Sequence, residues 1–93
     1  IVDEVDELAL SELKFCPNPV NDIARLEFEL PKSDDIQLEI VDILGQRVYF
    51  EDKGSLSAGA HNYSFNLDDF AQGIYFLSVR SDEQVKSLKF IKE

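Results

Sequence analysis

Residues 24–30 read Ala24-Arg25-Leu26-Glu27-Phe28-Glu29-Leu30, with an apolar side chain at every even position and a charged one at every odd position. Strict alternation over seven residues is the period of a β-strand with one wet face and one face on a core. Working outward, the same period recurs. Leu13 and Phe15 alternate before Pro17, and a turn over residues 31–35 separates the central run from Ile36, Leu38 and Ile40. Leu44-Gly45-Gln46 supplies a glycine for a left-handed turn, and Arg47 to Phe50 return as the second arm of a hairpin. A second loop is expected over residues 54–59, then a strand through His61, Tyr63, Phe65 and Leu67, and a turn at Asp68-Asp69. Tyr75, Leu77 and Val79 line one face of a further strand; Ser81-Asp82-Glu83 turns the chain into a last one over Val85 to Lys92.

Seven short strands with a turn signal every 8–12 residues, and no helical period beyond the first dozen residues, predict a small all-β domain. Gly73-Ile74-Tyr75-Phe76-Leu77 decides between a sandwich and a closed barrel. In immunoglobulin-like sandwiches a tyrosine on the penultimate strand, two residues before an inward core position, bonds back to the loop before it. Tyr75 stands two before Leu77. The expected fold is an immunoglobulin-like antiparallel β-sandwich of about seven strands.

The chain has 93 residues, 9 Lys+Arg against 19 Asp+Glu and a net charge of −10. One domain of this size buries enough surface to fold without metals or cross-links. The acidity argues against nucleic acid and against docking on an anionic lipid surface, since both need clustered Lys and Arg. No apolar run is long enough to cross a membrane as a helix. No charged-then-apolar leader opens the sequence, so an export signal would belong to a longer precursor. Charge is uneven: residues 1–12 hold Asp3, Glu4, Asp6, Glu7 and Glu12 with no basic residue, and read as an acidic linker or tail ahead of a domain over 13–93. At the other end Lys86, Lys89 and Lys92 outnumber Glu93.

Chemistry-bearing residues are sparse. Cys16 is the only cysteine and His61 the only histidine. The thiol reads as a partly buried small hydrophobe, and His61 as a satisfied strand histidine. The two cannot make a zinc site without several carboxylates, and no motif supports a Cys-His nucleophile. Asp34-Asp35 and Asp68-Asp69 fall in turns, where Asp bonds its own backbone, and neither has the spacing of a calcium loop. The sequence therefore gives no catalytic, metal or cofactor-binding residues, and the chain is not expected to be an enzyme.

Four segments remain. Lys14-Phe15-Cys16-Pro17-Asn18-Pro19-Val20-Asn21-Asp22 opens the domain; Asp42-Ile43-Leu44-Gly45-Gln46 forms the central hairpin; Leu67 to Leu77 contains Gly73 and Tyr75; Lys89, Phe90, Ile91, Lys92 and Glu93 close the chain. In this order and separation they closely resemble the type A C-terminal sorting domain of the type IX secretion system of Bacteroidetes, over about residues 13–93. Cys16 stands where that family usually has Tyr, and Ser87 where a further lysine is common. The resemblance implies a non-catalytic address on exported cargo, in the periplasm in transit and then at the cell surface or outside. Its implied partners are outer-membrane type IX translocon components and a sortase-like peptidase that removes the domain and attaches the passenger to the surface.

Residue by residue, Pro17 and Pro19 fix φ and remove two donors, so the opening segment cannot carry a sheet ladder past them. Asn21 and Asp22 cap that turn. Gly45 and Gly73 answer backbone requirements, and Tyr75 fixes the fold through its hydroxyl. Lys89 to Glu93 are the expected translocon contact, as an edge strand whose ladder and charges another chain can pair with. Two other classes stay open. A carbohydrate- or adhesin-type module would use an outward patch of Tyr49, Phe50 and Phe76, each of which breaks its strand's alternation. A spacer or homodimer would exchange the acidic tail and basic last strand between protomers.

Overall fold

A computed structural model describes residues 13–82 and 84–93; the acidic segment 1–12 lies outside them. Seven strands follow in order: β1 (Lys14–Cys16), β2 (Ile23–Leu30), β3 (Asp34–Asp42), β4 (Arg47–Leu56), β5 (Gly59–Asn66), β6 (Gly73–Arg80) and β7 (Val85–Lys92). They form two antiparallel sheets, β1-β2-β5 and β4-β3-β6-β7. The chain is an all-β, immunoglobulin-like sandwich, as the alternation predicts.

The even residues of β2 and β3 are the reason the sheets face each other. Ala24, Leu26, Phe28 and Leu30 from one sheet and Ile36, Leu38 and Ile40 from the other are buried together with Tyr75, Leu77, Val79 and Phe90. Aromatic pairs cross the interior: Phe15 lies 4.8 Å from Phe90, and Tyr49 meets Phe65 edge-on at 5.4 Å between centroids. One lateral side of the sandwich is sutured, because Val20 bridges in parallel to Lys92 and so ties the segment after β1 to β7. The opposite side leaves β4 and β5 as free edges.

Four local expectations are corrected. The loop over residues 54–59 shrinks to Ser57 and Ala58, because β4 runs on to Leu56. Gly54, read as a loop glycine, sits inside the strand at φ +71°, and Lys53 is the unpaired residue of a bulge between Ile36↔Gly54 and Gln37↔Asp52. The turn at 31–35 ends early, since β3 begins at Asp34 and takes Asp35 into its ladder opposite Ser55. Cys16 is exposed rather than partly buried; it occupies an outward position of β1, beside the half-buried Phe15. Tyr49 is half-buried against the core and not part of an outward patch. A second bulge at Val48, between Ile40↔Tyr49 and Val41↔Arg47, turns its ring inward.

Candidate interaction surface

Three of the four sequence segments meet at one end of the four-stranded sheet, and the opening segment is bonded to two of them, at residues 89–93 and at Leu67. After β1 the two prolines carry no N–H, so that stretch cannot continue a ladder with its backbone. Asn18, between them, pairs with its side chain instead: Nδ2 donates to the Lys89 carbonyl at 3.2 Å and Oδ1 accepts from Ile91 N–H at 3.0 Å. A carboxamide has the donor and acceptor of a peptide group, so it continues the sheet by one residue. Val20 then takes over with its backbone, donating to the Ile91 carbonyl and accepting from Glu93 N–H, both at 2.8 Å. Asp22 caps the turn, its Oδ1 accepting from Ile23 N–H at 2.7 Å, while its carbonyl accepts from Leu67 N–H. Asn21 is exposed.

Those contacts correct the expectation of an open ladder at residues 89–93. The Lys89 carbonyl, both Ile91 backbone groups and Glu93 N–H are already bonded to Asn18 and Val20. The open part of the edge is the first half, near Ser87, where no strand among the described residues pairs with its outer side. Within the expected contact set the side chains divide by parity. Phe90 and Lys92 point inward and are buried, with Phe90 stacked 5.5 Å from Tyr75 and Lys92 Nζ donating to the Glu93 carbonyl at 2.7 Å. Lys89, Ile91 and Glu93 are exposed.

Tyr75 behaves as its position predicts. Its hydroxyl donates to the Ala71 carbonyl at 2.7 Å, fixing the loop before β6, and its ring also meets Phe70. Gly73 opens β6 at φ +153° and Gly45 turns the hairpin at φ +84°; a Cβ at either would meet nothing within 4 Å, so backbone conformation alone selects glycine. The hairpin closes on one carboxylate. Asp42 Oδ1 accepts from Leu44 N–H and Gln46 N–H, both at 2.9 Å, while Gly45 N–H donates to the Asp42 carbonyl. His61 is satisfied as expected, its Nε2 2.8 Å from the Ser57 carbonyl. No group of three or more metal-ligating side chains occurs among the described residues.

The outward face of this sheet was only partly legible. Phe76 stands opposite Val41 and Lys89, Ile74 opposite Ile91, and Phe50 opposite Glu39. Phe50 and Phe76 are outward and exposed, as their break in alternation predicts. The signal for the rest lay at the outward positions of β6 and β7, where Ile74 and Ile91 are apolar on a face expected to be wet. Glu39 accepts from Arg47 Nε at 2.7 Å and lies 3.9 Å from Arg80, and the Arg47 guanidinium lies 4.4 Å above the Phe50 ring.

The family model of the secretion system C-terminal sorting domain matches residues 14–93, almost the whole chain. The chain belongs to that family. The sorting domain thus includes all four segments quoted above, and its family, that of type IX secretion, is generally non-catalytic and marks proteins for export toward the cell surface or beyond. No curated protein matches the sorting domain. Among solved structures it is similar to the Ig1 domain of mouse SynCAM 2, at 22% identity over 86% of this chain and 91% of that one, with a TM-score of 0.44.

Proposed function

We propose that residues 13–93 are an address read by outer-membrane type IX translocon components through the exposed side chains of β7. The observation that carries this is the clamp of Asn18 and Val20 on β7, which presents Lys89, Ile91 and Glu93 in one fixed register. A rigid strand with alternate side chains outward is a surface a receptor can read without ordering it first. In this reading the cargo passes through the periplasm with the domain already folded. A sortase-like peptidase then cuts ahead of the domain, at the junction between the acidic residues and Leu13, and joins the passenger to the surface.

Deleting residues 89–93 is a poor test, because it also removes Phe90 from the core. The charge reversals Lys89→Glu and Glu93→Lys leave the core intact. With a fluorescent passenger in a type IX-competent bacterium, they are expected to lower the secreted fraction severalfold at an unchanged thermal midpoint. Secretion at the wild-type level from both variants would remove β7 as the contact.

A further inference from the structure

We infer that the outer edge of β5 joins the same edge of a second copy of this chain, about a two-fold axis at Tyr63. Two three-stranded sheets then become one antiparallel sheet of the order β1-β2-β5-β5-β2-β1. The junction lies on the opposite lateral side of the sandwich from β7 and leaves the strand proposed for the translocon free.

Two sheets have four edges, and three of these are guarded. β1 is three residues long and runs into Pro17 and Pro19. The second half of β7 is taken by Asn18 and Val20, and its first half carries Lys86 on the core side, opposite the buried Val79. β4 has two bulges and the charged residues Arg47, Glu51, Asp52 and Lys53. Short length, proline, bulges and charges on the strand are what keep an edge from pairing with another chain. β5 has none of them. Its eight residues pair with β2 without a register shift, and they include no proline, Asp, Glu, Lys or Arg. No strand among the described residues pairs with its outer side. Alternate residues of such an edge turn their N–H and C=O groups outward.

Charge selects a second copy and its register. The side chains that β5 turns away from the core, Ala60, Asn62, Ser64 and Asn66, are exposed, short and uncharged. The strand charges of this sheet face lie on its neighbours: Arg25 beside Ser64, Glu27 beside Asn62, Glu29 beside Ala60, and Lys14 beyond Glu27. Pairing has to keep outward residues opposite outward residues. A two-fold axis at Tyr63 sets Asn62 against Ser64 of the second copy, which brings Glu27 into line with Arg25 of the second copy, twice over. Glu29 then faces Ile23 of the second copy. Moving the axis to Asn62 or Ser64 would instead line up two Glu27 or two Arg25. β4 lies beside β5 on this side, with Lys53 Nζ 4.2 Å above the Tyr63 ring, and its two cations balance its two carboxylates. Residues 1–12 fit the edge poorly, because their five carboxylates would run alongside Glu27 and Glu29. The net charge of −10 opposes association at long range, but salt screens it beyond about 8 Å at physiological ionic strength.

The test is sedimentation equilibrium of residues 1–93 at physiological ionic strength, with reductant present because Cys16 is exposed. A reversible dimer is expected, with β5 amides gaining protection from hydrogen exchange as the concentration rises. Asn62→Asp with Ser64→Asp sets carboxylates directly opposite each other at two places in the junction, and should weaken the dimer about tenfold. Asn62→Lys with Ser64→Asp sets opposite charges face to face in the same register, and should restore it. Circular dichroism confirms that both double variants are folded. A monomer at every concentration overturns the inference and leaves the β5 edge to a strand of another protein. A dimer that the two-Asp variant leaves intact overturns it by moving the contact to another edge. A dimer that both double variants weaken alike overturns the pairing about Tyr63.

Discussion

Tyr75 ties a buried ring to a polar handle, and the two can be separated by removing one atom. Its ring is stacked on Phe90 and its hydroxyl serves the Ala71 carbonyl. Tyr75→Phe keeps the packing and leaves that carbonyl without its partner. The expected loss is about 1 kcal/mol, or a fall of about 4–8 °C in thermal midpoint for a domain of this size, measured by calorimetry. A second residue-scale consequence concerns Glu51. The phenol of Tyr49 donates to its carboxylate, and with the Lys53 ammonium 3.1 Å away it holds the Glu51 carboxyl below its ordinary value. Because the folded-state value is the lower one, this stabilisation is complete at neutral pH and fades as the pH falls through the carboxylate range. Tyr49→Phe is expected to move the Glu51 midpoint back up in an NMR titration; an unmoved midpoint would assign the depression to Lys53 alone. Tyr75 was legible because a glycine and a strict period fix where it points. Tyr49 was not, because the bulge at Val48 changes parity and no residue type announces it.

Among the elements, β7 has two unlike halves. Ile91 N–H is bonded to Asn18 and Glu93 N–H to Val20, whereas Ser87 lies on the half whose outer edge carries no strand among the described residues. Hydrogen exchange is therefore expected to find the Ile91 and Glu93 amides protected and the Ser87 amide fast. Asn18→Ala should unprotect Ile91 and cost about 1–2 kcal/mol for two lost bonds. Equal protection of Ile91 in the variant and the wild type would mean that the side chain does not hold the strand. This clamp could not be read from the sequence, since it joins residues 71 and 73 positions apart. What could be read was that Pro17 and Pro19 bar a backbone ladder. In β4 the strand itself was foreseen but its length was not, because Gly54 signals a turn and instead serves a bulge closed by Asp52.

Across the whole molecule, the sandwich is sutured along β1 and β7 and open along β4 and β5, and the motif segments gather at one end of the larger sheet. Core and surface are coupled there. Phe90→Ala is expected to cost about 3–5 kcal/mol, a large share of the roughly 5–15 kcal/mol that holds a domain folded, so it should abolish secretion by unfolding. The surface substitution Lys89→Glu should lower secretion without unfolding. Alternation carried the sheets and the core into view because burial imposes it. The outward apolar face stayed partly hidden because it depends on which outward residues of distant strands come side by side. The central claim is that this domain directs export by the type IX route. The most direct measurement fuses an export signal and a fluorescent passenger ahead of residues 1–93. Passenger outside the cell is then compared between a type IX-competent strain and its secretion-deficient counterpart. The account predicts release or surface display in the first and periplasmic retention in the second. Equal retention in both, with the domain folded, would contradict it.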